Sequence, residues 1–292
     1  MKTLRIISVL SLLLLGGVTY VILNQQSTSS SDIYDVTQAV LTKSPVKQPS
    51  VNLQTRTNDV LNKWQDQHLE ATEWGERISG VKSKIDTDEK IIALTFDACG
   101  GTWGEKYDET LINFLKEEEI PATLFINARW IETNKETFMM LAEDPLFSIQ
   151  NHGTNHLPLS VSGQTAWGIE GTASVEEIIH EVMDNQSLIY EMTGHLPDFF
   201  RSGTAHYDEL AVQMTQDLGL TIVNYDVLGD AGATYSASEV EEALLTVVPG
   251  SIPLLHMNQP KSGTAEGVMA AIPQLKENGF TFVHLEGQTL VD

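Results

Sequence analysis

Two histidines four residues apart, in His152-Gly153-Thr154-Asn155-His156, can turn both imidazoles toward one ion, and neutral imidazole is the commonest side-chain ligand for zinc. Upstream, Asp97 precedes Gly100 and Gly101, where the backbone can bend sharply or approach a ligand closely. A carboxylate there could bind a metal or act as a general base. Cys99 is the chain's one cysteine, which excludes an intrachain disulfide and a Cys-rich zinc framework. Its place two residues after Asp97 opens a metal or redox role. Arg201 follows two phenylalanines, a setting that suits a guanidinium holding a carboxylate. His256 follows Pro253-Leu254-Leu255, and with Asp226 as its carboxylate partner it becomes a general acid.

These residues share a position. The apolar β-type run 91–96 leads into Asp97, 146–149 into Asn151 and His152, and 198–200 into Arg201. Likewise 220–223 leads into Tyr225 and Asp226, 252–255 into His256, and 122–126 into Asn127. Core packing gives strands no reason to finish this way, whereas an α/β barrel assembles its active site at the carboxyl ends of its strands. Strands are predicted at 91–97, 122–127, 146–150, 198–201, 220–226, 251–256 and 280–284. Amphipathic helices are predicted between them at 109–118, 130–142, 174–192, 208–218, 238–246 and 264–276. Ser174 with Glu177, and Ser238 with Glu241, carry the capping-box spacing, and Gly219 and Gly279 stand where helices should stop. Such alternation calls for a parallel sheet. A doubly wound open sheet would gather ligand contacts at one switch point, so a closed α/β barrel of seven strands is favoured.

The 292 residues, 41% hydrophobic and 20% charged, suit one sizeable domain plus an appendage. A formal net charge of −23 repels phosphates and argues against a nucleic-acid partner. Lys2 and Arg5 precede the uncharged run 6–23, so residues 1–23 read as a signal peptide or signal anchor, the uncleaved anchor being preferred. Either form exports the rest, to the periplasm or the extracellular side, with the anchor holding it to the inner or plasma membrane. Residues 24–58, rich in Ser, Thr, Gln and Pro, read as a flexible tether, and 59–88 as an N-terminal extension with a polar helix between 60 and 78. Residues 89–288 form the main domain. The stretch 157–172, with Trp167 and several glycines, is a long loop beside the histidine pair and is read as contacting substrate.

In their order along the chain these residues resemble the polysaccharide deacetylases with the NodB-homology domain, carbohydrate esterase family four. Thr95-Phe96-Asp97-Ala98 looks like the family's Thr-Phe-Asp-Asp motif, and 152–156 resembles its His-x-x-x-His metal motif. Arg201-Ser202-Gly203-Thr204 is similar to Arg-x-Pro-Tyr, Asp226 to the leading Asp of Asp-x-x-Asp-Trp, and Leu254-Leu255-His256 to Leu-x-His. The resemblance implies a distorted (β/α)7 barrel, a divalent metal, often zinc, and removal of N-acetyl groups from N-acetylhexosamine polymers such as peptidoglycan, chitin or an exopolysaccharide. Two departures stand out. Ala98 occupies the place of the family's metal-binding Asp, leaving His152 and His156 with water, Asp108 or Cys99, in that order of preference, as the third ligand. Thr204 replaces the motif Tyr, and Ala231 or its neighbours replace the Trp, so the substrate groove should differ in shape.

The chemistry expected is metal-assisted amide hydrolysis. Asp97, held by Arg201, takes the proton of the attacking water, and His256, supported by Asp226, protonates the departing amine. Thr204, Leu254 and Trp167 contact substrate, Leu254 as an apolar wall for the acetyl methyl. Two other readings use the same residues: a non-catalytic saccharide-binding domain with a degraded metal site, and an amidase for a small exported amide.

Overall fold

Alternation in Thr95-Phe96-Asp97-Ala98 decides how the central sheet is built. Phe96 and Ala98 enter the apolar core beneath the helices, while Thr95 and Asp97 turn to the other face and meet Arg201. The computed structural model describes residues 53–292, so the run 6–23 and most of the expected tether lie outside the described residues. Seven parallel strands form a curled half-barrel: β1 Thr95–Ala98, β2 Ala122–Ile126, β3 Phe147–Asn151, β4 Phe199–Phe200, β5 Thr221–Ile222, β6 Val227–Leu228 and β7 Pro253–His256. Their order is β5-β4-β3-β2-β1-β7-β6. In β1, β2 and β3 every residue is buried, as expected for parallel strands covered on both faces.

The α/β barrel type is as expected, but three strands differ from expectation, the first being 91–97, of which only Thr95–Ala98 is in the barrel. The run 220–226 is not one strand. It holds only β5, and β6 begins just past its end; the two sit at opposite edges of the sheet, so four residues of chain join the edges and the sheet must curl. The run 280–284 does not enter the barrel: Thr281–Phe282 pairs in parallel with Ile91–Ile92 as a separate two-stranded ribbon. Lys82 bridges Val223 and Lys84 bridges Ser251, so residues 82–84 lie against both β5 and the approach to β7.

Among the described residues the helices are α1 Leu53–Trp64, α2 Gly101–Gly104, α3 Glu109–Glu117, α4 Ala128–Thr133, α5 Lys135–Glu143, α6 Val175–Thr193, α7 Glu209–Asp217, α8 Ala237–Leu244 and α9 Thr264–Glu277. Helix α6 begins where Ser174 accepts from the Glu177 N–H and stops at Gly194 in the left-handed conformation, φ 71°. The second capping box belongs to Ser236 and Glu239, two residues earlier than the spacing of Ser238 and Glu241 suggested. Helix α1 begins inside the expected tether and ends before His68 and Leu69. Its Val60 and Trp64 are buried against α6 and α7, and the Trp64 indole N–H donates to Asp217 at 2.8 Å. Residues 53–58 are therefore part of the folded unit. None of the described helices is long and apolar enough to cross a membrane.

Candidate active site

Arg201 directly follows β4 and is wholly buried, so its guanidinium needs hydrogen-bond partners within the protein. It finds them on β1 and on the connection between β5 and β6. Nε donates to Val223 O at 3.0 Å, Nη2 to Asn224 O at 2.9 Å, and Nη1 to Thr95 Oγ1 at 3.0 Å and Asp97 Oδ1 at 2.8 Å. The guanidinium carbon lies 4.2 Å from the centroid of the Phe125 ring, an additional cation–π contact. Burial pushes the Asp97 carboxyl up, but Arg201 first, then His152 and His256, bring it below the ordinary carboxylate range. Asp97 is therefore a carboxylate fixed in position and ionised.

The histidine motif follows β3 and is held by an amide network. Asn127 donates to the carbonyls of His152 and Gly153 at 2.9 and 2.7 Å, and Asn151 Oδ1 accepts from the Gly153 N–H at 2.9 Å. From α6, the buried Glu181 carboxylate accepts the N–H groups of Asn155 at 2.8 Å and Leu157 at 3.1 Å. Gly153 has φ 79°, and a Cβ there would collide with that carboxylate. His156 sits between the two anchored N–H groups with φ 65°, a left-handed conformation costing about 1–2 kcal/mol for a residue with a Cβ. Sequence reasoning missed Glu181. Its signal was a polar stripe (Glu181, Asn185, Gln186) on the helix face that also carries Ile178 and Val182 and is buried with them.

Burial drives the Glu181 carboxyl up to about 7, against the backbone N–H groups of Asn155, Leu157 and His156. The folded state therefore holds a proton that the unfolded chain loses above its ordinary value near 4.5, and stability should fall as pH rises from there to 7. Glu181→Gln should flatten this slope, and Glu181→Ala should lower the urea midpoint by orphaning buried N–H groups, each worth about 1–3 kcal/mol. Equal slopes for the Glu181→Gln variant and its parent in pH-dependent urea melts would contradict the assignment.

His152 Nδ1 lies 2.9 Å from Arg201 O. A carbonyl can only accept, so Nδ1 carries the proton and Nε2 keeps its lone pair, 3.6 Å from Asp97 Oδ2 and 3.7 Å from Cys99 Sγ. Burial lowers the His152 pKa and keeps the ring neutral. His156 Nε2 is buried without a hydrogen-bond partner. One donor atom each from Cys99, His152 and His156 falls within a mutual 4.8 Å. Burial raises the Cys99 thiol, but the charge and hydrogen bond of His156, with His256, bring it down to about 6. The His152 Nε2 lone pair and the unpartnered His156 Nε2, beside a thiol inclined to ionise, suit a divalent cation. Ala98 is directed into the helix-side core and Cys99 is the next residue to reach the histidines. Of the two side chains expected as third ligand, the structure brings Cys99 to the histidines. Asp108 is committed elsewhere, capping α3 by accepting from the Leu111 N–H at 3.1 Å, and it is not in the cluster.

At the end of β7, His256 Nδ1 is 2.8 Å from Asp230 Oδ1, and its backbone N–H donates to Asp230 Oδ2 at 2.7 Å. Thr264 Oγ1 donates to the same oxygen at 2.9 Å. Asp226, expected in this role, instead accepts from Ser251 Oγ and the Ile252 N–H, both at 2.7 Å, and braces the start of β7. Asp230 escaped the sequence reading because it lies four residues after Asp226, one more than the Asp-x-x-Asp spacing. Burial pulls the His256 pKa down, but Asp230, by charge and hydrogen bond, with a contribution from Cys99, carries it well above 6.5.

Asp97, Cys99, His156 and His256 line one cleft of 940 Å³, with His152 directly beneath. Thr204, Leu254 and Trp167 line it too. Thr204 Oγ1 is buried there without a partner, and Leu254 packs with Ala205 and Tyr225 as an apolar patch on the wall. The four groups expected to converge do so.

The polysaccharide deacetylase family profile matches residues 84–223. YlxY, an uncharacterized protein of Bacillus subtilis (strain 168), is 21% identical over 198 residues, 68% of this chain, and the chain spans 56% of that relative's length. BA3943 of Bacillus anthracis, described as a carbohydrate esterase family four pseudoenzyme, superposes with a TM-score of 0.59 at 21% identity, covering 70% of this chain and 66% of that one. Bc1960, described as a peptidoglycan N-acetylglucosamine deacetylase, gives a TM-score of 0.60 at 22% identity over 70% of this chain and 91% of its own. At such identities the two structures establish a shared fold.

Proposed function

This chain belongs to the polysaccharide deacetylase family, and we propose that it is an exported, metal-dependent hydrolase removing N-acetyl groups from an N-acetylhexosamine polysaccharide. The observation that carries this reading is the convergence of an ionised Asp97, the Cys99-His152-His156 cluster and an Asp230-supported His256 on one cleft. The family is generally metal-dependent. His152, His156 and Cys99 would hold the ion, zinc being favoured by a nitrogen and sulfur donor set. When bound, it supplies Lewis acidity that polarises the acetyl carbonyl.

The chain's own residues divide the proton work. Asp97, kept ionised by Arg201, accepts a proton from the attacking water. His256, kept protonated by Asp230, donates one to the sugar amine as the C–N bond breaks. Collapse yields acetic acid, which ionises to acetate and passes its proton to the freed amine, while Asp97 returns its proton to His256 through solvent to reset the pair. Thr204 Oγ1 can satisfy its lost hydrogen bond on substrate, and the patch of Leu254, Ala205 and Tyr225 offers the acetyl methyl a dry wall. Export is supported by the uncharged run 6–23 behind Lys2 and Arg5.

Cobalt(II) tests the ligand set. The cobalt-loaded protein should show a sulfur-to-metal charge-transfer band in the near ultraviolet that Cys99→Ser abolishes while the histidine-dependent visible absorption persists. Stoichiometric cobalt without that band would remove Cys99 from the set. The loss of a carboxylate at Ala98 favours one second reading, a saccharide binder without turnover. Acetate release from N-acetylated chito-oligosaccharides by the zinc-loaded protein decides between them, and absence of release with intact sugar binding would leave the binder.

A further inference from the structure

Two of the most exposed apolar side chains among the described residues stand at the same cleft. Trp103 is 87% exposed and Trp167 78%, against 45% for Val248, the next of the large hydrophobics. Both line the cleft whose floor holds Asp97, Cys99 and His256. A surface indole of this size has no packing explanation, and an exposed aromatic at a cleft rim marks a contact with a ligand.

Each indole is carried on a pinned support. Trp103 lies on α2, where the Gly100 N–H donates to Gly104 O at 3.0 Å and Asn258 Nδ2 donates to the same carbonyl at 3.0 Å. Gln259 Nε2 donates to the Trp103 carbonyl. Trp167 caps the antiparallel hairpin of Thr165–Ala166 and Ile169–Glu170. The base of that loop is tied down by reciprocal Ser160–Thr172 bonds of 2.8 and 2.7 Å and by the Val161 N–H donating to Asp208 at 2.6 Å. The Trp167 ring rests edge-on against His206, centroids 5.8 Å apart. Both supports fix the backbone and leave the rings to solvent, an arrangement that limits the entropy lost on binding.

The charges on the cleft floor are paired, and those on its walls are held by neutral groups. Asp97 is paired with Arg201, Glu76 accepts from the Tyr225 hydroxyl at 2.9 Å, and Arg129 donates to Cys99 O and Asn127 Oδ1. His256 is paired with Asp230. Arg129 is the cleft's cation without a carboxylate partner, and its guanidinium is held by those two neutral oxygens, while the net charge of −23 around it disfavours a polyanionic chain.

We infer that Trp103 and Trp167 are two sugar-stacking platforms on the rim of the reacting cleft, and that they take an uncharged, linear N-acetylhexosamine chain long enough to touch both. The apolar C–H face of a pyranose lies flat on an indole, which needs no charge on either partner. This inference deepens the proposed deacetylase reading and rests on it for the sugar class. It is tested by binding alone, without added metal. Tryptophan fluorescence and calorimetry with N-acetyl-chito-oligosaccharides should show affinity rising with chain length to a plateau. Trp103→Ala and Trp167→Ala should each weaken the longer oligosaccharides about tenfold, as for a tryptophan anchor, and leave the disaccharide less affected. Trp103→Tyr and Trp167→Tyr should restore much of the loss. Hyaluronan oligosaccharides, which alternate N-acetylglucosamine with a carboxylated sugar, should bind at least tenfold more weakly than the uncharged series. Length-independent affinity, unaltered affinity in both alanine variants, or equal binding of hyaluronan would each overturn the inference. Tryptophan-dependent binding without acetate release by the zinc-loaded protein would uphold it and overturn the deacetylase reading instead.

Discussion

Asp97→Asn should lower deacetylation at least about a hundredfold, the low end of what positioned acid–base groups contribute. The amide keeps the size and one acceptor oxygen for Arg201 Nη1, now 2.8 Å from Asp97 Oδ1, but it cannot take a proton from water. The measurement is kcat for acetate release, with far-ultraviolet circular dichroism to establish that the variant is folded. Near-normal kcat in folded Asp97→Asn would remove Asp97 as the base.

The pH profile follows from the same two groups. Asp97 is useful when deprotonated, and its pKa lies below the ordinary carboxylate range, so activity should persist into acid before the lower limb falls. His256 is useful when protonated, and its pKa lies well above 6.5, so activity should be lost as pH rises through that raised value. Asp230→Asn removes the charge that raises it. The alkaline limb should then move to lower pH, a shift that a purely structural role for Asp230 would not produce. Asp226→Asn, which perturbs only the brace at Ser251 and Ile252, should leave that limb in place.

The residues that were legible in the sequence were those whose chemistry breaks a strand's apolar pattern at its end. Asp97, Arg201, His152 and His256 each interrupt a run of core residues, and parallel strands bring such interruptions to one rim. What stayed illegible depended on tertiary geometry. Asn224, Tyr225 and Asp226 mark where the first strand stops, but nothing in the sequence announces that Thr221–Ile222 and Val227–Leu228 belong to opposite edges, because each is a short apolar segment whose partner strand is set by tertiary packing. Cys99 ranked last as a ligand because residue spacing does not reveal which side of β1 Ala98 faces. Its burial in the helix-side core makes Cys99 the residue that reaches the histidines. Asp230 and Glu181 each act across long sequence separations, on His256 and on the histidine loop, and a buried acid in an amphipathic helix or loop resembles a surface acid until its partners are seen.

Arg201→Met should be the most destabilising single change in the site. It removes the charge that compensates Asp97, and breaking one side of a buried pair costs about 3–5 kcal/mol. The carbonyls of Val223 and Asn224 lose their donors as well, so the connection between β5 and β6 loosens together with β1 and β4. Methionine fills much of the volume and keeps contact with the Phe125 ring, which isolates the loss of charge and hydrogen bonds from the loss of packing. The double variant Asp97→Asn with Arg201→Met separates the two contributions. If the pair dominates, the second substitution should recover a large part of the first one's cost, because the orphaned carboxylate is then gone, and the urea midpoint of the double variant should exceed that of Arg201→Met. Additive losses would instead assign the stability of this corner to the bonds Arg201 makes with the carbonyls of residues 223 and 224, leaving Asp97 as a group held for its chemistry alone.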